Sequence, residues 1–154
     1  MYKKILVPLD GSTFAEVILP HIHHMATLYE ADIIFLLVLE LSHTANFQRS
    51  QDDRFYALPS WDDNLLQKQI SESESYLDEQ VLRTEELGIK AKSRIEYGPV
   101  AATIINTAVE EDVDLIAMAS HGASGLQGIY YGSVAAGVLQ RVDRPLLIVR
   151  SHDI

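Results

Sequence analysis

The stretch Asp32–Leu39, DIIFLLVL, is hydrophobic without a break. A strand with one wet face alternates apolar and polar residues, whereas a continuous run of this kind suits a strand covered on both faces. The sequence on either side supplies the covering helices. Upstream, Ile5-Leu6-Val7-Pro8-Leu9 is a second apolar run, ended by Asp10-Gly11-Ser12, and it reads as a buried strand leading into a turn. Between the two, Ala15, Leu19, Ile22, Ala26 and Tyr29 recur at helical spacing, which predicts a helix over 13–29. Downstream, residues 41–60 are polar and unpatterned, with Pro59 near their end. A long acidic helix over about 62–87 follows, with Leu66, Ile70, Leu77 and Val81 on one side and Gly88 to end it.

The same alternation continues to the end of the chain. Lys90–Tyr97 suits a third, less buried strand, and Gly98-Pro99 starts a helix with proline pre-set for its first turn. Ala102, Ile105, Ala108 and Val109 give that helix its expected apolar stripe. Leu115–Ala119 is a fourth strand, 133–141 a last helix, and Pro145–Val149 a fifth strand. Strands alternating with helices imply a parallel sheet. The expectation is an α/β fold: one domain over 1–154, with an open, doubly wound, five-stranded parallel sheet and helices on both faces. In such sheets ligands sit beyond the carboxyl ends of the strands, where strand order reverses. If strands one and four are neighbours there, the Asp10 turn and the loop after Ala119 line one crevice.

That loop is rich in glycine. Residues 119–133 read ASHGASGLQGIYYGS, and five of the chain's eight glycines fall between Gly122 and Gly137. Glycines let backbone N–H groups turn toward an anion, and a following helix N-terminus adds partial positive charge. No lysine follows any of these glycines, which excludes a Walker A loop. Their spacing and their distance from the first strand exclude a dinucleotide fingerprint. Ser133 can cap the last helix, donate its hydroxyl to a phosphate, or do both. An ordinary flexible connection is the bland alternative.

Bulk properties narrow the function further. The 154 residues are 47% hydrophobic, enough for one proper core. Twelve Lys and Arg against 22 Asp and Glu give a net charge of −10. A nucleic-acid binder needs a basic face, and so does a protein docking on anionic lipid. The absence of cysteine excludes disulfides and thiolate chemistry. No run approaches the ~20 apolar residues of a membrane span, and the N-terminal apolar run is too short for a signal peptide. A soluble cytoplasmic domain, without nucleic-acid partner or membrane insertion, is the expectation.

With ILVPLDGS at the start, VLE at the end of the second strand, MASHGASGL followed by GS, and RPLLIVR near the end, the whole chain resembles the universal stress protein family. The resemblance implies a Rossmann-like fold of the adenine nucleotide alpha hydrolase kind. The family's ATP-binding members carry glycine, two residues, glycine, nine residues, then glycine and Ser or Thr. The matching positions here are Ala119, Gly122, Gly132 and Ser133. By the resemblance, Pro8, Asp10 and the backbone of Val38 surround adenine and ribose, while Gly122, Gly132, Ser133 and Val134 hold phosphates. Met118, Ala119, Ser120 and His121 complete the implied site. Asp10 also has the plain reading of a helix N-cap. Ala119 brings a methyl group that crowds a ligand, or excludes a positive φ, if the site needs either.

Residues 95–140 contain no Lys or Arg. A triphosphate there would rest on backbone amides, the helix dipole and a divalent ion, Mg²⁺ or Mn²⁺. Three functions stay open: a dimeric regulatory module holding ATP, ADP or AMP and signalling to a protein partner; a slow ATPase; and a relative acting through protein contacts alone. The apolar edge Leu146–Val149 needs a partner or a cover, and the resemblance implies a homodimer through it. His21 and His24 share a helix face without a third metal ligand in view. Glu72, Glu74, Asp78 and Glu79 read as a solvated face. Residues 41–60 are expected to form a lid, with Phe55 or Tyr56 shielding the base, and Tyr130-Tyr131 either pack beneath the sheet or cover a ligand.

Overall fold

The computed structural model describes residues 1–40, 63–122 and 132–151. The expected lid over 41–60 and the Tyr130-Tyr131 pair lie outside these residues. Five strands are present: β1 (Lys4–Pro8), β2 (Asp32–Leu39), β3 (Ala91–Tyr97), β4 (Leu115–Ala119) and β5 (Leu146–Val149). They form one parallel sheet in the order β3-β2-β1-β4-β5. Strand order reverses between β1 and β4, which pair at Ile5 with Leu115 and at Leu6 with Ile116. The expected neighbours across the switch point are real neighbours.

Among the described residues four α-helices cover the sheet: α1 (Leu19–Tyr29), α2 (Asp63–Glu86), α3 (Val100–Glu110) and α4 (Ser133–Arg141). Strand alternation sorts the core into two layers. Ile5, Val7, Ile33, Phe35, Leu37, Leu115 and Ala117 pack with Ile22 and Ala26 of α1 and Leu77 of α2. Leu6, Ile34, Leu36, Ile116 and Met118 pack with Ile104 and Ala108 of α3 and Ala135 and Val138 of α4. The interior strand β2 is buried from Ile33 to Leu37 on both faces, which is why its sequence carries no polar interruption.

Three local expectations are corrected. The helix expected over 13–29 is divided into a 3-10 turn, Ala15–Ile18, and α1. Pro20 is the reason: it has no N–H to donate to Glu16, so the ladder cannot pass through it, and Leu19 N–H closes on Glu16 O instead. α1 then ends at Glu30, which takes a left-handed φ of 53°. In α2 Leu77 is the one member of the expected stripe that is fully buried; Leu66, Ile70 and Val81 are half-buried, and the polar Gln80 and Thr84 are buried beside them. Tyr76 and Gln80 both donate to Glu16 Oε1, at 2.9 and 3.2 Å, and Thr84 Oγ1 meets His23 Nε2 at 3.0 Å. Burial, then the bond to Glu16, raises the Tyr76 pKa, so the phenol stays a donor. In α3 the buried face is Ile104, Thr107 and Ala108, and Val109 is exposed. The expected acidic face of α2 is exposed as read.

Candidate functional site

The two turns at the switch point form the walls of a crevice of about 110 Å³. From the β1 side come Pro8, Leu9, Asp10 and Ala15; from the β4 side, Met118 through Gly122; from α4, Gly132 through Ala135. Val100 and Ile104 of α3 close its floor. Of the residues that the sequence nominates, ten line this crevice: Pro8, Asp10, Met118, Ala119, Ser120, His121, Gly122, Gly132, Ser133 and Val134. Val38 does not. It lies at the same end of the sheet, in β2, packed against the layer that α3 and α4 cover.

Pro8 sits at the last position of β1, where its missing N–H costs the sheet nothing, and Leu9 N–H continues the ladder to Leu36 O at 2.8 Å. Asp10 then turns the chain. Its Oδ1 accepts from Ser12 N–H at 2.9 Å and from the Ser12 hydroxyl, and Ser12 Oγ accepts from Ala15 N–H at 3.3 Å. Asp10 is therefore a turn former and no helix cap, because Phe14 occupies the cap position of the 3-10 turn. Its other oxygen faces the glycine loop. A methyl group built on Gly122 would lie 2.1 Å from Asp10 Oδ2, so a side chain there would make the Asp10 carboxylate turn away.

Ser120 N–H donates to Val149 O at 2.8 Å, and Gly132 N–H donates to Ser120 O at 2.8 Å. The glycine-rich segment therefore departs and returns at one point. A methyl group on Gly132 would stand 3.2 Å from that carbonyl. Gly132 is the N-cap of α4 in extended conformation, with no side-chain cap bond, and Ser133 is the first helical residue. The capping role expected of Ser133 is thus not seen, since its place is one residue inside the helix. α4 begins at the crevice, which brings the positive end of its helix dipole there.

Ala119 is buried at the end of β4, and its φ is not positive. The backbone therefore makes no demand that only glycine could meet. Strand alternation places its methyl on the side of Ala117, opposite Met118. Among the described lining residues, Asp10 and His121 carry the ionisable side chains, and none is Lys or Arg. His121 Nδ1 lies 2.9 Å from Ser120 Oγ, while Nε2 is buried and has no hydrogen-bond partner among the described residues. Among the described residues there is no group of three His, Cys, Asp or Glu placed to hold a metal ion, and none therefore adds a third ligand to His21 and His24.

The lining that sequence reading missed is apolar: Leu9, Ala15, Val100, Ile104 and Ala135. Val100 and Ile104 are one helical turn apart directly after Gly98-Pro99, a spacing visible in the sequence but passed over for the stripe Ala102, Ile105, Ala108 and Val109.

A crevice at the reversal point of an open five-stranded parallel sheet defines a doubly wound α/β protein. The family model described as the universal stress protein family matches residues 1–150, and the chain belongs to that family. Universal stress protein MJ0577 of Methanocaldococcus jannaschii is 30% identical over 162 residues, covering 97% of this chain and 96% of that protein. Its solved structure superposes with a TM-score of 0.85, over 100% of this chain and 99% of the other. A universal stress protein solved in complex with cAMP is 20% identical, with a TM-score of 0.68 over 98% of both chains. One from Archaeoglobus fulgidus in complex with dAMP is 19% identical, with a TM-score of 0.62 over 96% of this chain and 97% of the other. Among the described residues, no helix is long and apolar enough to cross a membrane.

Proposed function

We propose that the crevice binds an adenine nucleotide, ATP or its products ADP and AMP, and that the chain acts as a dimeric regulatory module reporting nucleotide state to a protein partner. The observation that carries this reading is the approach of Asp10 to Gly122 across the β1/β4 switch point. It sets a carboxylate, suited to ribose hydroxyls, beside an anion-holding helix start. The named ligands of the two relatives, cAMP and dAMP, share adenine, a sugar and phosphate, which is the chemistry these two walls match. An apolar floor of Val100 and Ile104 suits a purine ring.

The same walls argue for holding rather than hydrolysing. Among the described lining residues no Arg or Lys is present to take transition-state charge, so any ATPase activity is slow. A triphosphate near Asp10 needs its charge offset, and with no ready-made metal cluster among the described residues, Mg²⁺ or Mn²⁺ would be held mainly by the phosphates. Isothermal titration with ATP in the presence of Mg²⁺, and again with EDTA, tests this. Affinity should fall by about tenfold or more in EDTA, a change of roughly 1.4 kcal/mol. Undiminished affinity in EDTA would refute the metal requirement, and no heat in either titration would refute the ATP reading. The bare lining also supports a second reading, a family member working through protein contacts alone, which requires a crevice that stays empty in both titrations.

A further inference from the structure

We propose that Ser151 and Ser120 fix His121 as its Nε2–H tautomer, and that this buried donor takes a phosphate oxygen at the start of α4. The identity of the acceptor rests on the nucleotide reading above; the tautomer does not.

The argument is one of hydrogen-bond accounting. Ser120 is 1% exposed, so its hydroxyl has no water to turn to. Its Oγ accepts from Ser151 N–H at 3.0 Å and lies 2.9 Å from His121 Nδ1. A hydroxyl has one proton and two lone pairs. If Nδ1 carried the imidazole proton, Oγ would accept twice, leaving the buried hydroxyl proton without an acceptor and Nε2 a bare lone pair. If the hydroxyl donates to Nδ1, Ser120 is fully satisfied and the imidazole proton sits on Nε2. A buried polar group left unmade costs about 1–3 kcal/mol, so the second arrangement wins.

Among the described residues it leaves one unpaired group, the Nε2–H, buried in the ligand-free chain on a residue that lines the crevice. The ring edge that carries it lies beside the α4 cap: a methyl group on Gly132 would stand 3.7 Å from His121 Cδ2. A donor orphaned next to an uncapped helix start matches an acceptor-only anion. Ser151 also holds the pocket around this relay. Its hydroxyl lies 3.0 Å from Phe14 O and 3.3 Å from His121 O, joining the loop after Asp10 to the end of β4. Ser120 and Ser151 are positioning residues, and His121 is the ligand contact.

The test pairs nitrogen-15 NMR of the imidazole with titrations of AMP and adenosine. At about pH 8.5, where histidine is ordinarily neutral, the ligand-free protein should show His121 as the single Nε2–H tautomer. Ser120→Ala should mix the tautomers and weaken AMP by about tenfold, while adenosine, lacking phosphate, changes by less than about twofold. Ser120→Thr, which keeps the hydroxyl, should restore both readings, and Ser151→Ala, which keeps the N–H, should leave the tautomer unchanged. An Nδ1–H or mixed tautomer in the unaltered protein overturns the inference whatever it binds. Equal loss of AMP and adenosine in Ser120→Ala overturns it too, because that is the signature of a collapsed pocket. The stated tautomer in a protein that binds neither ligand keeps the relay but overturns the phosphate acceptor, and the nucleotide reading with it.

Discussion

At the scale of single residues, two small side chains carry the weight of the site in opposite ways. Gly122 is favoured by proximity, since a Cβ there would overlap the Asp10 carboxylate and displace it from its present position. Gly122→Ala should destabilise the fold by about 1–3 kcal/mol in urea denaturation and weaken ATP by more than about tenfold in titration. Unaltered binding would mean that the two loops do not need this approach. Ala119 is the reverse case: the family pattern has glycine, but this backbone has no positive φ to accommodate and its methyl faces away from Met118. Ala119→Gly should therefore change ATP affinity by less than about threefold. It should cost about 0.5–1 kcal/mol of stability, the entropy penalty of glycine inside a strand. A large gain in affinity would show instead that the methyl obstructs the site. The sequence could raise this question but could not answer it, because φ and side-chain direction are settled by the strand that Ala119 terminates.

At the scale of elements, the switch point is held from both ends of β1 and β4. At the far end from the crevice, Asp114 Oδ2 accepts from Lys3 N–H at 2.7 Å and Lys4 N–H at 2.8 Å, tying the start of β4 to the start of β1. These backbone bonds, Lys3 first, hold the Asp114 carboxyl below its ordinary 3.8. A depressed carboxylate contributes stability that is complete above its unfolded pKa and is lost as pH falls through the folded value. Asp114→Asn should therefore cost about 1 kcal/mol in urea denaturation near neutral pH, and that deficit should shrink below pH 3.8. A deficit independent of pH would mean that the bonds do not depend on the charge. Elements were largely legible in the sequence where apolar periodicity forms them. All five strands appear within a residue of their expected ends. Two of the three misreadings share one cause: each depends on a partner outside the segment. Pro20 broke the first helix through its own missing N–H, but the polar part of the inner face of α2 exists only because Glu16 and His23 await Tyr76, Gln80 and Thr84. The apolar floor from α3 went unread for the same reason, since Val100 and Ile104 acquire a role only beside β4 and α4.

At the scale of the whole molecule, the sheet has two unlike edges. β3 carries Lys92, Arg94 and Glu96, and Arg94 pairs with Glu96, Glu110 and Glu111, a charged border that resists pairing with another strand. β5 is Leu146-Leu147-Ile148-Val149, each only partly buried in the single chain. The homodimer proposed above is expected to cover this edge. Ile148→Lys should convert it to monomer in light scattering, and a dimer that survives the change would place the interface elsewhere. β5 also supplies Val149 O to Ser120 N–H, so the edge and the crevice share a strand boundary. The measurement that most directly tests the central claim is mass spectrometry of the protein purified without added nucleotide, under native and then denaturing conditions. The account predicts a bound adenine nucleotide released on denaturation, at one per chain, or, if purification has stripped it, a complex formed with added Mg-ATP or AMP. A protein that carries none and takes up neither at millimolar concentration would contradict it.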